Sequence, residues 1–86
     1  MSFVDEVVEK SVFPWQEYTG HKVVANEDIY CVGRFQLGQY GDELWLEADS
    51  NDVGAAYAAN FIVSGKVSAA VTAKVIDTLI QNYRDA

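Results

Sequence analysis

Cysteine, proline and histidine occur once each in 86 residues, and bases are few: six Lys and Arg against 13 Asp and Glu leave a net charge of −7. A solitary Cys31 excludes an internal disulfide and suits a reducing, cytoplasmic setting. A solitary His21 and a Cys31 with no neighbour at a ligand spacing leave no metal motif, so neither metal nor cofactor is expected. The acidity argues against direct contact with nucleic acid or an anionic membrane, and points to a basic protein surface as partner. No apolar run approaches the roughly 20 residues needed to cross a bilayer. The acidic start Met1–Glu6 lacks the basic segment that opens a signal peptide. The shortage of bases is also local: no Lys or Arg falls between residues 35 and 65, where Asp42, Glu43, Glu47, Asp49 and Asp52 all lie.

What the chain does have is apolar and aromatic material. Half of it is hydrophobic, with two Trp, five Tyr and four Phe, which is enough for one core and hence a single domain over residues 1–86. The clearest pattern is Glu43–Ala48. Its alternation predicts a strand that sends Leu44, Leu46 and Ala48 to the core and Glu43, Trp45 and Glu47 to the other face.

Around this strand the chain reads in order. Ser2 caps a first helix, with Asp5 three residues on, Phe3, Val4, Val7, Val8 and Ser11–Val12 forming the inner stripe, and Pro14 ending it. Phe13, Trp15 and Tyr18 close one end of the core. Lys22–Ala25 and Ile29–Gln36 are expected strands. The second of these carries Ile29, Cys31 and Phe35 on one face and Tyr30, Val32 and Arg34 on the other, and Leu37–Asp42 connects it to Glu43. The run of small residues from Val53 to Val63, preceded by four capping residues, predicts a helix; a strand from Asn60 to Val67 is the competing reading. Ser68 caps a last helix with Val71, Val75, Leu79 and Tyr83 in line and Thr72, Ile76 and Ile80 beside them. The expected fold class is α+β: a small three-stranded antiparallel sheet with helices packed on one side, in the order α-β-β-β-α-α.

No catalytic motif emerges. Asp49–Gly54 has oxygen side chains at the first and third positions of a calcium loop, but Val53 and Asn60 stand where the fifth and twelfth ligands belong. The glycines precede no Gly-Lys-Ser/Thr, so they cradle no phosphate. Glu43 and Glu47, four residues apart on a strand, stand about 13 Å from each other, too far for paired acid–base work. An enzyme is therefore not expected. The residues expected to bind a partner are Tyr40, Asp42, Glu43, Trp45, Glu47, Asp49 and Asp52, an indole with an acidic rim that Tyr30 and Val32 extend.

Small, acidic and without motifs, the chain is similar in general type to phage or plasmid proteins that block host nucleic-acid machinery, anti-CRISPR and anti-restriction inhibitors among them. The expected function is non-enzymatic inhibition of a basic, nucleic-acid-handling protein. The alternatives are an assembly subunit that forms homo-oligomers through patches at Trp15 and Tyr83 or at Ala55–Ala59, and an immunity protein directed at a nuclease toxin.

Overall fold

The structure, a computed structural model, describes residues 2–20, 28–48, 57–62 and 67–85, with 57–62 and 83–85 described as backbone only. Helix α1 (Phe3–Lys10) leads into β1 (Gln16–Glu17), β2 (Asp28–Val32), β3 (Phe35–Tyr40), β4 (Glu43–Ala48) and β5 (Tyr57–Ile62), and α2 (Ala69–Asp85) follows. The strands form one antiparallel sheet in the order β1-β2-β3-β4-β5. Four are of five or six residues; β1 is a two-residue addition at the edge. The α+β class and the packing of helices on one side of the sheet are as the sequence implies, while the expected three strands and the order α-β-β-β-α-α are not.

Two hairpins account for one difference. Val32 pairs with Phe35 across Gly33-Arg34, and Tyr40 pairs with Glu43 across Gly41-Asp42. Gly33 and Gly41 have φ of 56° and 62°, and no other described residue has a positive φ. Glycine at the first central position of a two-residue loop is the type II′ arrangement, whose twist matches that of the flanking strands. Ile29–Gln36 is therefore not one strand: Gly33 reverses the chain instead of marking a bulge. Leu37–Asp42 is not a connection either, because all but its last two residues belong to β3. The reversal also resets the alternation and puts Phe35 on the face of Tyr30 and Val32.

The larger correction concerns Tyr57–Ile62, expected within a helix; of the competing strand from Asn60 to Val67, Asn60–Ile62 is strand and Val67 is not. Helix formation is local, but Tyr57–Ile62 lies alongside β4 with all six residues in register, from Glu43↔Ile62 to Ala48↔Tyr57. Ladder bonds to a strong central strand outweigh the modest helix preference of alanine. The strand expected at Lys22–Ala25 and the caps at Asp49–Asp52 lie outside the described residues.

Leu37, Leu44 and Leu46 are fully buried from the sheet side and meet Val4 and Val7 of α1 and Ala73, Ile76 and Ile80 of α2; Phe13 and Trp15 pack against this core. Both helices thus cover the same face. The buried line of α2 is Ala69, Thr72, Ala73, Ile76 and Ile80, so of the two adjacent lines the one with Ile76 and Ile80 enters the core, Leu79 packs at its side, and Val71 and Val75 face outward, 53% and 43% exposed. One helix offers two apolar stripes side by side, and the neighbouring shape, not hydropathy, chooses between them.

Polar contacts set α1 in place. Asp5 Oδ2 accepts from the Ser2 amide at 3.0 Å, and Gln39 Oε1 accepts from the Val4 amide at 2.8 Å while its Nε2 donates to Gly41 O at 2.8 Å. At the other end the helix stops at Lys10, earlier than Pro14 alone requires, so Ser11 and Val12 do not continue its inner stripe and Val12 is 81% exposed. Asp77 of α2 accepts from Ser11 Oγ at 2.5 Å and from the Val12 amide at 3.0 Å, drawing this segment out of helical geometry. Ser68 caps α2 as expected, its Oγ accepting from the Val71 amide at 3.2 Å.

Candidate interaction face

The face of the sheet turned away from both helices is built by register. Alternation within β2, β3 and β4 places Ile29, Cys31, Gln36, Gly38, Tyr40, Glu43, Trp45 and Glu47 there, and pairing with β4 adds positions 58, 60 and 62 of β5. None of these positions is Lys or Arg. Arg34 sits in the turn at one end of β3; Tyr40, Asp42 and Glu43 gather at the other, about 20 Å away along the strand.

Trp45 lies over Gly38, its partner on β3. A Cβ on Gly38 would fall inside the indole, 2.8 Å from Cη2 and closer still to Cζ2 and Cε2. Glycine in mid-strand, with no side chain of its own, is what lets the ring settle flat on the sheet. The indole is half-buried in consequence, pressed on backbone from beneath, not roofed by either helix. Tyr40 is 55% exposed, and Glu43, Glu47 and Asp42 are exposed.

The structure therefore brings together Tyr40, Asp42, Glu43, Trp45 and Glu47. Asp49 and Asp52 lie outside the described residues. Tyr30 and Val32, expected to extend the patch, are on the opposite face and pack against the core. Tyr30 donates its hydroxyl to Asp5 of α1. That bond holds the Asp5 carboxyl below the usual carboxylate range and, with burial, pushes the Tyr30 phenol up to about 12. Burial also raises the Cys31 thiol, which makes it a poorer nucleophile than an ordinary cysteine. His21 lies outside the described residues, and among the described ones no group of three His, Cys, Asp or Glu could hold a metal. No helix among the described residues is long and apolar enough to cross a membrane.

A second feature was not legible in the sequence. Between α1 and the β1–β2 edge, on the helix side of the sheet, a cleft of about 630 Å³ is lined by Asp5, Glu9, Trp15, Glu17, Asp28 and Tyr30, with Val8 and Ile29. Its residues come from three separate stretches, 5–9, 15–17 and 28–30, so no local pattern announces it.

Comparison with known proteins finds no matching family model, no similar curated protein and no similar solved structure.

Proposed function

We propose that this chain is a non-enzymatic binding protein that docks the open face of its sheet on a basic, nucleic-acid-handling protein and blocks it. One observation carries the reading: a sheet face bearing Tyr40 and Trp45 beside Glu43 and Glu47, with no base at any outward position of the long strands. Aromatic anchors supply contact area at small entropic cost, and the carboxylates set the sign of the partner. The ring's seat on Gly38 favours this use, since a side chain already held in place loses little freedom on binding. A net charge of −7 would steer the encounter and make it salt-sensitive. Blocking requires only that the docked face overlap the partner's nucleic-acid site; full mimicry of a phosphate backbone is not needed.

The test is affinity capture from the producing cell, or from its host, at low and high salt, followed by Glu43→Gln/Glu47→Gln. Recovery of a basic nucleic-acid-binding protein mainly at low salt, lost in the double variant with the melting temperature unchanged, is expected. A captured protein that the double variant retains fully would refute the docking face. Trp45→Ala is the less clean variant, because it also uncovers Gly38.

A second reading, an assembly subunit that pairs with a copy of itself, is favoured by the outward Val71 and Val75 of α2. Light scattering separates the two: the blocker is a monomer, whereas the subunit has a multiple of the 9.5 kDa chain mass.

A further inference from the structure

The cleft between α1 and β1–β2 lies at the edge of the sheet, its charged and aromatic lining on the helix side and only Ile29 shared with the Trp45 face. Its volume of about 630 Å³ lies within the roughly 300–1,000 Å³ typical of ligand sites. That is room for a long side chain with some of its backbone, far more than a bare ion needs. Trp15 and Tyr30 form the aromatic part of the lining. The polar ends of both rings are already engaged: the Trp15 indole N–H donates to Ser11 Oγ at 2.8 Å, and the Tyr30 hydroxyl donates to Asp5. Both rings are half-buried against the core, and what they can still offer a ligand is the apolar part of each that lines the cleft.

The carboxylates decide the ligand's charge. Asp5 is held by Tyr30 and by the Ser2 amide. Glu9, Glu17 and Asp28 are exposed and make no ion pair or side-chain hydrogen bond among the described residues. Aromatic surface beside unneutralised carboxylates suits a flat, delocalised cation: a guanidinium stacks on an indole while its N–H fork reaches carboxylate oxygens. An ammonium is more strongly hydrated and has no plane to stack.

We propose that this cleft binds an arginine side chain presented by a peptide segment of another protein, the guanidinium lying against Trp15 and Tyr30 with Glu17 and Asp28 as its counter-charges. The full chain, labelled with ¹⁵N, is titrated with a capped tetra-arginine peptide and, separately, with its neutral citrulline counterpart. Saturable shifts of the Trp15 indole and of the Tyr30 and Asp28 amides are expected with arginine and not with citrulline. Glu17→Gln and Asp28→Asn, both at exposed positions outside the core, should each weaken binding about two- to fivefold, and Thr78→Ala, at an exposed position of α2 that does not line the cleft, should leave it unchanged. The proposal is overturned if Trp15 does not respond to millimolar peptide at low salt, or if the shifts gather around Trp45. Equal affinity for tetra-lysine or spermidine would also overturn it, reducing the cleft to a general attractor of cations.

Discussion

Replacing Gly38 by alanine should have opposite effects depending on whether Trp45 is present. Alanine in mid-strand is favoured over glycine by about 0.5–1 kcal/mol, because glycine loses more backbone freedom on folding. At Gly38 the new methyl would occupy the space of the indole, 2.8 Å or less from three ring atoms. The ring must leave its seat, and overpacking of this kind costs about 1–3 kcal/mol. Gly38→Ala in the native background is therefore expected to destabilise by about 1–2 kcal/mol, a fall of several degrees in Tm for a domain of this size. In a Trp45→Ala background the obstruction is gone and the same substitution should stabilise by about 0.5–1 kcal/mol. The coupling between the two sites is then about 2 kcal/mol, well above what unconnected sites show. Urea unfolding of the four proteins by far-UV circular dichroism measures it. Red-shifted emission from Gly38→Ala, compared with a Trp45→Phe control that isolates Trp15, should show the indole moving toward water. A Gly38→Ala effect of the same sign and size in both backgrounds would refute the account of why glycine occupies this strand, and with it the preset position of Trp45.

Stability should depend on pH through Asp5 and Tyr30. The carboxyl's folded pKa is lowered, so its contribution is complete above the ordinary Asp range, near pH 4, and lost as pH falls below it. The phenol's is raised to about 12, so its contribution is complete below about pH 10 and lost as pH rises toward 12. Tyr30→Phe should cost about 1 kcal/mol at neutral pH, less than the roughly 1.5–3 kcal/mol of a well-buried bond to a charged group because the pair is only half-buried; the gap to the native protein should close at both extremes in denaturation curves. Ile76→Ala should cost about 2–5 kcal/mol and Val75→Ala under about 0.5 kcal/mol, since one side chain fills the core and the other faces water; equal losses would mean that α2 is rotated. Asp77→Ala should cost about 1–3 kcal/mol by leaving Ser11 Oγ and the Val12 amide without their acceptor, and faster amide exchange at Val12 would locate the loss.

The faces of β4 were legible because alternation is a property of six consecutive residues and needs no partner: Leu44, Leu46 and Ala48 are buried, and Glu43, Trp45 and Glu47 are not. Ser2 with Asp5 and Ser68 marked the two helix starts for the same local reason. Gly33 announced an irregularity but not its size. A bulge and a type II′ reversal both call on glycine, and only the pairing of Val32 with Phe35 tells them apart. The reversal is what puts Phe35 on the face of Tyr30 and Val32 and makes Leu37–Tyr40 part of a strand.

The sequence by itself determined the acidic balance, the absence of bases across the middle of the chain, the two helix starts and the outward triad of Glu43, Trp45 and Glu47. Tertiary structure alone decided that Tyr57–Ile62 is a strand, that Ile76 and not Val75 enters the core, that Trp45 rests on Gly38, and that Trp15, Glu17, Asp28 and Tyr30 enclose one cleft. The physical reason is range. Turn, cap and alternation preferences act within a few residues, whereas ladder bonds and packing join positions far apart in the chain, and where the local preference is weak they prevail.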